Sequence, residues 1–355
     1  KKTRMQCILE DPINQSEKKS NMEEFGIIMD QLSKHGYQYI RTIGFGNFSQ
    51  VYLCKSLKYN ILFALKRIIN SKVTDSEYNA LISLNHHYIV QLYEIIKEED
   101  CTYLVMDYCP NNTLMQKGKL SYNEFIQYAR QILEALSYCH SKLIAHRDIK
   151  PDNIFIDQYD RIKLADFGFA KQFDHETIST ERCGSIMYCS PEIVKGQSSF
   201  DPFQADIYAL GITFYYMITG KFPFISSSLE NLKKSIIYGQ IDFSDYDVNS
   251  EIKNLIMKMT ARNPKMRPAV DSLLNFNIFN QPQKTVSFYS HFSKSQYRFF
   301  TNTHHINKSM SFSSGSEMQN EPIPLKKRKP AINQCKSIIV TPNVPINSFH
   351  STFNH

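Results

Sequence analysis

Between Tyr37 and Cys109 the chain runs in short alternating stretches of apolar and polar residues: YQYIRTIG, SQVYLCKS, ILFALKRII, IVQLYEIIK and CTYLVMDYC. Their β-branched and aromatic content, with turn residues between them, predicts five antiparallel strands. The stretch DSEYNALISLNHH breaks that period. Its apolar residues recur at helical spacing, and Asp75 or Ser76 stands near its start as an N-cap. Past Pro110 the texture turns helical. In SYNEFIQYARQILEALSYCHSKL, the residues Phe125, Ile126, Ala129, Ile132, Leu133, Leu136 and Tyr138 make the broad apolar stripe of a core helix. FQADIYALGITFYYMITG is apolar on nearly all sides and predicts a helix buried all round, and SLENLKKSIIYG, SEIKNLIMKMTA and RPAVDSLLNFNIF predict further helices. The expected fold class is α+β, with a small strand-rich lobe over about 37–109 and a larger helical lobe over about 110–280.

The flanks differ in kind. Residues 1–36 are mixed and polar, with one amphipathic turn around MEEFGIIMDQLSKH. Residues 281–355 turn to Ser, Asn, Gln, His and Phe without periodicity, which predicts a mostly disordered tail. The tail also carries the charge. It holds nine Lys/Arg against two Asp/Glu, equal to the +7 of the whole chain, so the first 280 residues balance. A nucleic-acid footprint spread over the domain is therefore not expected. No apolar run reaches the roughly 18 residues of a membrane span, and the start has no signal-peptide core. The eight cysteines form no CxxC pair or metal-ligand cluster and read as reduced thiols of a cytoplasmic or nuclear protein.

The chemistry concentrates in IAHRDIKPDNIFIDQYDRIKLADFGFA, Ile144 to Ala170, where Asp148, Lys150, Asp152, Asn153 and Asp166 stand among apolar residues. Carboxylates placed that close to a core need cations to meet them. Upstream, IGFGNFSQV places Gly44 and Gly46 at a hairpin tip, where backbone N–H groups can approach a phosphate.

In order, the Gly-rich loop, the FALK strand, an acidic residue on a helix, HRDIKPDN, DFG, SPE and ADIYALG resemble the motifs of eukaryotic protein kinases over roughly residues 37–280. The resemblance implies a two-lobe protein kinase fold with ATP and Mg²⁺ bound between the lobes, and protein substrates. Lys150, two positions after Asp148, favours the Ser/Thr type. The hinge lettering and HRDIKPDN lean loosely toward the calcium/calmodulin-dependent group.

Residue by residue, the resemblance implies that Lys66 holds the α- and β-phosphates and pairs with Glu77. Asp148 would accept or orient the substrate hydroxyl's proton, and Lys150 would neutralise charge on the moving phosphoryl group. Asn153 and Asp166 would hold Mg²⁺. Ile43, Gly44 and Gly46 belong to the phosphate loop, while Val51, Ala64 and Phe155 match the apolar positions around adenine. Met106 falls at the gatekeeper, with Asp107 to Cys109 as the hinge that meets adenine through its backbone. Leu81, Leu92, His146 and Phe167 match the stack that couples the lobes. Asp206 would tie down the HRD turn, and Glu192 and Arg267 resemble a buried ion pair.

The departures are specific. Ser49 replaces the third glycine of the loop, SPE stands for APE, and Lys66 and Glu77 are only eleven positions apart. Tyr208 takes the position usually held by tryptophan, and the chain has no Trp. In the activation segment, Glu181 occupies the position often held by a phosphorylated threonine. It is expected to pair with Arg147 in place of a phosphate, with Thr177, Ser179 and Thr180 as alternative acceptors. Ser185 aligns with the hydroxyl that Ser/Thr kinases set against Asp148 and Lys150. Thr113 and Tyr216 stand where basic-directed kinases carry acids, so a strong preference for arginine well upstream of the acceptor is not expected. Lys326, Lys327, Arg328 and Lys329 resemble a nuclear-import signal, which would engage an import receptor. Two rival readings are a catalytically silent kinase-like scaffold and a protein that binds nucleic acid through its tail.

Overall fold

A computed structural model describes residues 24–46, 49–70, 80–173, 178–179, 181 and 184–280. The small lobe is a five-stranded antiparallel sheet in the order β1–β2–β3–β5–β4. Its strands are β1 (Tyr37–Phe45), β2 (Ser49–Ser56), β3 (Leu62–Ile69), β4 (Leu92–Lys97) and β5 (Cys101–Met106). All five predicted strands form. β4 begins three residues later than the sequence run suggests, because Ile89 bridges instead to Leu164 of the large lobe.

The outer face of this sheet is covered by α1 (residues 24–34), which the sequence suggested only as one amphipathic turn. Ile28 and Leu32 are buried against Tyr37, Tyr52, Leu65, Tyr103 and Val105. Polar ties fasten the helix: Tyr103 donates to Gln31 at 2.6 Å, and Glu24 meets Arg67 at 3.1 Å. Helical residues 80–83, within α2, deliver Leu81 and Leu84 into the core shared with the large lobe.

The large lobe opens with α3 (Leu114–Lys117) and α4 (Tyr122–Ser141). α4 starts on a capping box in which Ser121 and Glu124 satisfy each other's backbone N–H groups. Those bonds, with Lys117 beside them, hold the Glu124 carboxyl down to about 2. The predicted stripe of α4 is buried, with Tyr138 partly so. After α4 come β6 (Ile144–Ala145), β7 (Ile154–Ile156), β8 (Ile162–Leu164) and β9 (Lys171–Gln172). Then follow α5 (Pro191–Val194), α6 (Pro202–Thr219), α7 (Leu229–Tyr238), α8 (Ser250–Met259), α9 (Val270–Leu274) and α10 (Asn277–Asn280). α6 is buried on nearly every side, as expected. Asp201 caps its first N–H groups, Pro202 occupies its first turn, and Gly220 ends it with φ 72°.

Glu77, Thr177, Thr180, Cys183 and everything predicted for residues 281–355, the basic cluster at Lys326–Lys329 included, lie outside the described residues. Among the described residues, no helix is long and apolar enough to cross a membrane.

Candidate active site

Arg147 adopts φ 65°, a left-handed conformation that a non-glycine residue takes only when held there. Such strain costs roughly 1–3 kcal/mol. The holder is Asp206, buried in α6. Its Oδ2 accepts the N–H of His146 and its Oδ1 the N–H of Arg147, both at 2.8 Å. Bonds to a carboxylate are about twice as strong as neutral ones, so one buried side chain fixes the turn that presents Asp148. The role expected of Asp206 is thus visible as geometry.

Asp148 is itself buried and receives three donors. Lys150 Nζ lies 2.5 Å and Asn153 Nδ2 3.0 Å from its Oδ2, and the Ser185 N–H lies 3.2 Å from its Oδ1. Lys150 also donates to the Ser185 hydroxyl at 3.2 Å. The Asn153 amide nitrogen makes a second bond to the Asp148 carbonyl at 2.9 Å, which leaves its oxygen as a ligand atom.

Asp166 is the second residue at this centre with positive φ, 60°. It follows β8, and its Oδ1 lies 3.0 Å from Lys66 Nζ in β3. Burial alone would raise the Asp166 carboxyl, but the Lys66 ammonium beside it outweighs that and holds it below the usual carboxylate range. The sheet register puts Lys66 opposite Val51 and Leu104, and Ala64 opposite Leu53 and Met106. Ile43 and Val51 pack against Leu53, Ala64 and Tyr108 in one apolar cluster. Gly44 pairs with Val51, and Gly46 donates its N–H to the Ser49 carbonyl at 2.7 Å. Phe155 pairs with Lys163 across β7 and β8. The His146 and Phe167 rings meet in a tilted arrangement with centroids 4.7 Å apart, and Leu81 and Leu92 pack in the same core.

Asp107 donates its N–H to the Gln91 carbonyl at 3.0 Å, so of its two backbone groups only the carbonyl can meet a ligand. Its side chain is buried in an ion pair with Lys163. Sequence reading missed that pair. The available signal was Lys163 standing between two apolar residues of a short strand, where an unpaired lysine is seldom buried.

In the activation segment, Glu181 meets Arg147 Nη1 and Lys171 Nζ, both at 2.8 Å. Arg147 also donates from Nε to the Phe169 carbonyl at 2.6 Å. Lys171 is a partner the sequence did not suggest. Ser179 is buried in this arrangement, and its backbone pairs with Phe200. Thr113 caps α3 and the Tyr216 hydroxyl donates to the Met115 carbonyl at 2.9 Å. Glu192 and Arg267 form the expected buried pair, with both contacts at 2.7 Å.

Residues 37–279 match the sequence model of the protein kinase domain. Sperm motility kinase Z of Mus musculus is 30% identical over 267 residues, 74% of this chain and 52% of that protein. Serine/threonine-protein kinase kin-29 of Caenorhabditis elegans is 32% identical over 249 residues, 67% of this chain and 30% of that protein. Sperm motility kinase 2B of Mus musculus is 31% identical over 246 residues, 67% of this chain and 50% of that protein. The chain spans about half or less of the length of these relatives. With the kinase model covering well over half of its residues, the chain belongs to the protein kinase family.

Proposed function

We propose that this chain is an active serine/threonine protein kinase that transfers the γ-phosphoryl group of ATP to protein hydroxyls. The observation that carries the reading is the set of groups around Asp148. Its carboxylate is held from three sides, and Lys150 links it to Ser185. A substrate hydroxyl placed there finds a fixed acceptor for its proton and a fixed cation for the transferred group. Phosphoryl transfer asks little covalent chemistry of the protein, so positioning and charge stabilisation supply most of the acceleration.

The residues fit Mg²⁺. Among the described residues no cluster of three or more His, Cys, Asp or Glu side chains could hold a metal ion by itself. Mg²⁺ in phosphotransfer sites takes one or two protein oxygens and completes its shell with phosphates and water. One carboxylate, Asp166, and one amide oxygen, Asn153, match that demand. Bound there, the ion would neutralise the charge of the phosphates. Lys66, paired with Asp166, stands where it would meet the α- and β-phosphates. Ile43, Val51, Ala64, Phe155 and Met106 would line the adenine site, and the Asp107 carbonyl and Cys109 backbone would meet its edge. The leaning toward the calcium/calmodulin-dependent group remains an expectation from the sequence.

The deciding experiment is phosphate transfer from Mg·ATP to a generic basic protein, with Asp148→Asn as control. General-base contributions are typically about 10²- to 10⁴-fold, so transfer should fall by that order in the control. Absence of transfer by the wild-type chain, with or without prior phosphorylation, would favour the silent scaffold.

A further inference from the structure

We infer that Asp107 and Lys163 are positioning residues for the nucleotide, a buried ion pair that pins the hinge to the strand leading into Asp166. The inference rests on the reading that the cleft binds ATP.

Both side chains are almost wholly buried, with Lys163 Nζ 2.7 Å from Asp107 Oδ2. The carboxylate is saturated from the small lobe as well. The Gln91 N–H donates to Oδ2 at 3.1 Å, and the Tyr93 hydroxyl donates to Oδ1 at 2.8 Å. Lys163 makes a second contact, to the Ile89 carbonyl at 3.4 Å. Its neighbour Leu164 is stitched to the same segment, donating to the Tyr88 carbonyl at 2.8 Å and accepting from the Val90 N–H at 2.9 Å. Three pieces of chain therefore converge on one pair of charges: residues 88–93 of the small lobe, the hinge, and β8 of the large lobe.

The place of the pair makes this more than packing. Asp107 directly follows Met106 and carries the carbonyl that faces the adenine edge under the proposed function. The backbone of Lys163 pairs with Phe155, and Asp166 follows three residues later. The pair thus fixes the adenine end of the cleft relative to the metal-binding end. Stability does not demand it, since two apolar residues of similar volume often serve as well or better than a buried ion pair. What the charges add is a penalty for any other register, because a shifted hinge would leave a buried carboxylate or ammonium without its partner.

The test compares single and double replacements by direct titration with Mg·ATP, alongside thermal melting and steady-state kinetics. Lys163→Met should lower the melting temperature and weaken ATP about tenfold, the scale on which outer supports of a site act. The double variant Asp107→Leu/Lys163→Met removes both charges and should melt above Lys163→Met but short of the wild type, because the Gln91 N–H and the Tyr93 hydroxyl lose their acceptor, while its ATP affinity stays about tenfold weaker. The loss should fall on KM for ATP, with KM for the protein substrate unchanged. A double variant that binds ATP like the wild type would show that the pair is only filler and overturn the inference. If the double variant does not fold, Asp107→Asn decides, because its amide oxygen can still accept from the Gln91 N–H while its NH2 turns to the Tyr93 hydroxyl, so the charge is lost with the shape kept. Unchanged affinity there also overturns the inference, and a tenfold loss supports it. Wild-type chain that fails to bind Mg·ATP at all would instead defeat the proposed function, and this inference with it.

Discussion

Glu181 and Arg147 meet at 2.8 Å, and the same carboxylate reaches Lys171 with its other oxygen. Arg147 directly precedes Asp148, and Lys171 lies in β9, just beyond the Asp166–Gly168 turn. One glutamate therefore ties the loop that presents Asp148 to the segment that follows Asp166. By the sequence resemblance it is expected to stand where kinases often carry a phosphorylated threonine. Dephosphorylated chain should consequently transfer phosphate, and Glu181→Ala should lower kcat by about three- to tenfold. That is the size expected of two ion pairs partly screened by solvent. Glu181→Gln should fall in the same direction, since it keeps the shape and loses the charge. Equal activity of all three proteins would sink the idea.

The same clamp has a pH signature. Hydrogen bonds from Lys171 and then Arg147 hold the Glu181 carboxyl down to about 2 from its ordinary 4.5. A depressed carboxyl contributes its full stabilisation above the ordinary value and loses it only as pH falls toward the depressed one. Activity between pH 5 and 8 should therefore not titrate with Glu181. A wild-type pH–rate profile over that range that differs in shape from that of Glu181→Gln would contradict this assignment.

Gly184 gives a sharper geometric prediction. It sits at φ 91°, and a Cβ there would lie 2.8 Å from the Arg147 carbonyl and 3.4 Å from Asp148 Oδ1. Gly184→Ala must push the Ser185 loop away from Asp148. The expected result is at least a tenfold loss of kcat with Mg·ATP affinity retained, since nothing on the nucleotide side moves. Calorimetric titration beside initial rates checks it. A parallel loss of ATP binding would mean that the loop's influence reaches further than this contact.

The fold was readable where periodicity and local chemistry agree. The five strands and the long α4 and α6 announce themselves by alternation and by apolar stripes. The groups of the centre were readable because Asp148, Lys150, Asn153 and Asp166 fall within one short motif-bearing span. What stayed hidden depends on partners distant in sequence. Asp107 and Lys163 are 56 positions apart, and each alone resembles an ordinary charged residue. α1 was underread for a related reason. Its polar residues outnumber its buried ones, and only the sheet face beneath Ile28 and Leu32 shows which side turns inward.

That helix can be tested by stability. Leu32 is 1% exposed, in the core formed by the outer face of the sheet. Leu32→Ala should cost about 2–5 kcal/mol, from lost burial and the cavity left behind. Urea unfolding followed by circular dichroism should show the midpoint falling without a change in slope. An effect under about 0.5 kcal/mol would mean that α1 is not held against the sheet in solution, and that the folded unit begins at β1.

The buried pair of Glu192 and Arg267 offers the largest stability effect and separates two roles. Arg267 donates to both carboxylate oxygens at 2.7 Å, to the Ala261 and Gln204 carbonyls at 2.8 Å, and lies 5.0 Å from the centre of the Tyr208 ring. Glu192 in turn anchors α5, which closes the activation segment. Removing one partner leaves the other as an uncompensated buried charge, at roughly 3–5 kcal/mol. For a domain of this size that lowers the melting temperature on the order of 10 °C. Arg267→Met should show this in full. Glu192→Leu/Arg267→Met removes both charges and should recover part of the loss, though not all, because the carbonyls of Ala261 and Gln204 still lose their donor. If the double variant is no more stable than Arg267→Met, the stranded charge is not the source of the cost, and the arginine's bonds to those carbonyls and its stacking on Tyr208 must carry it.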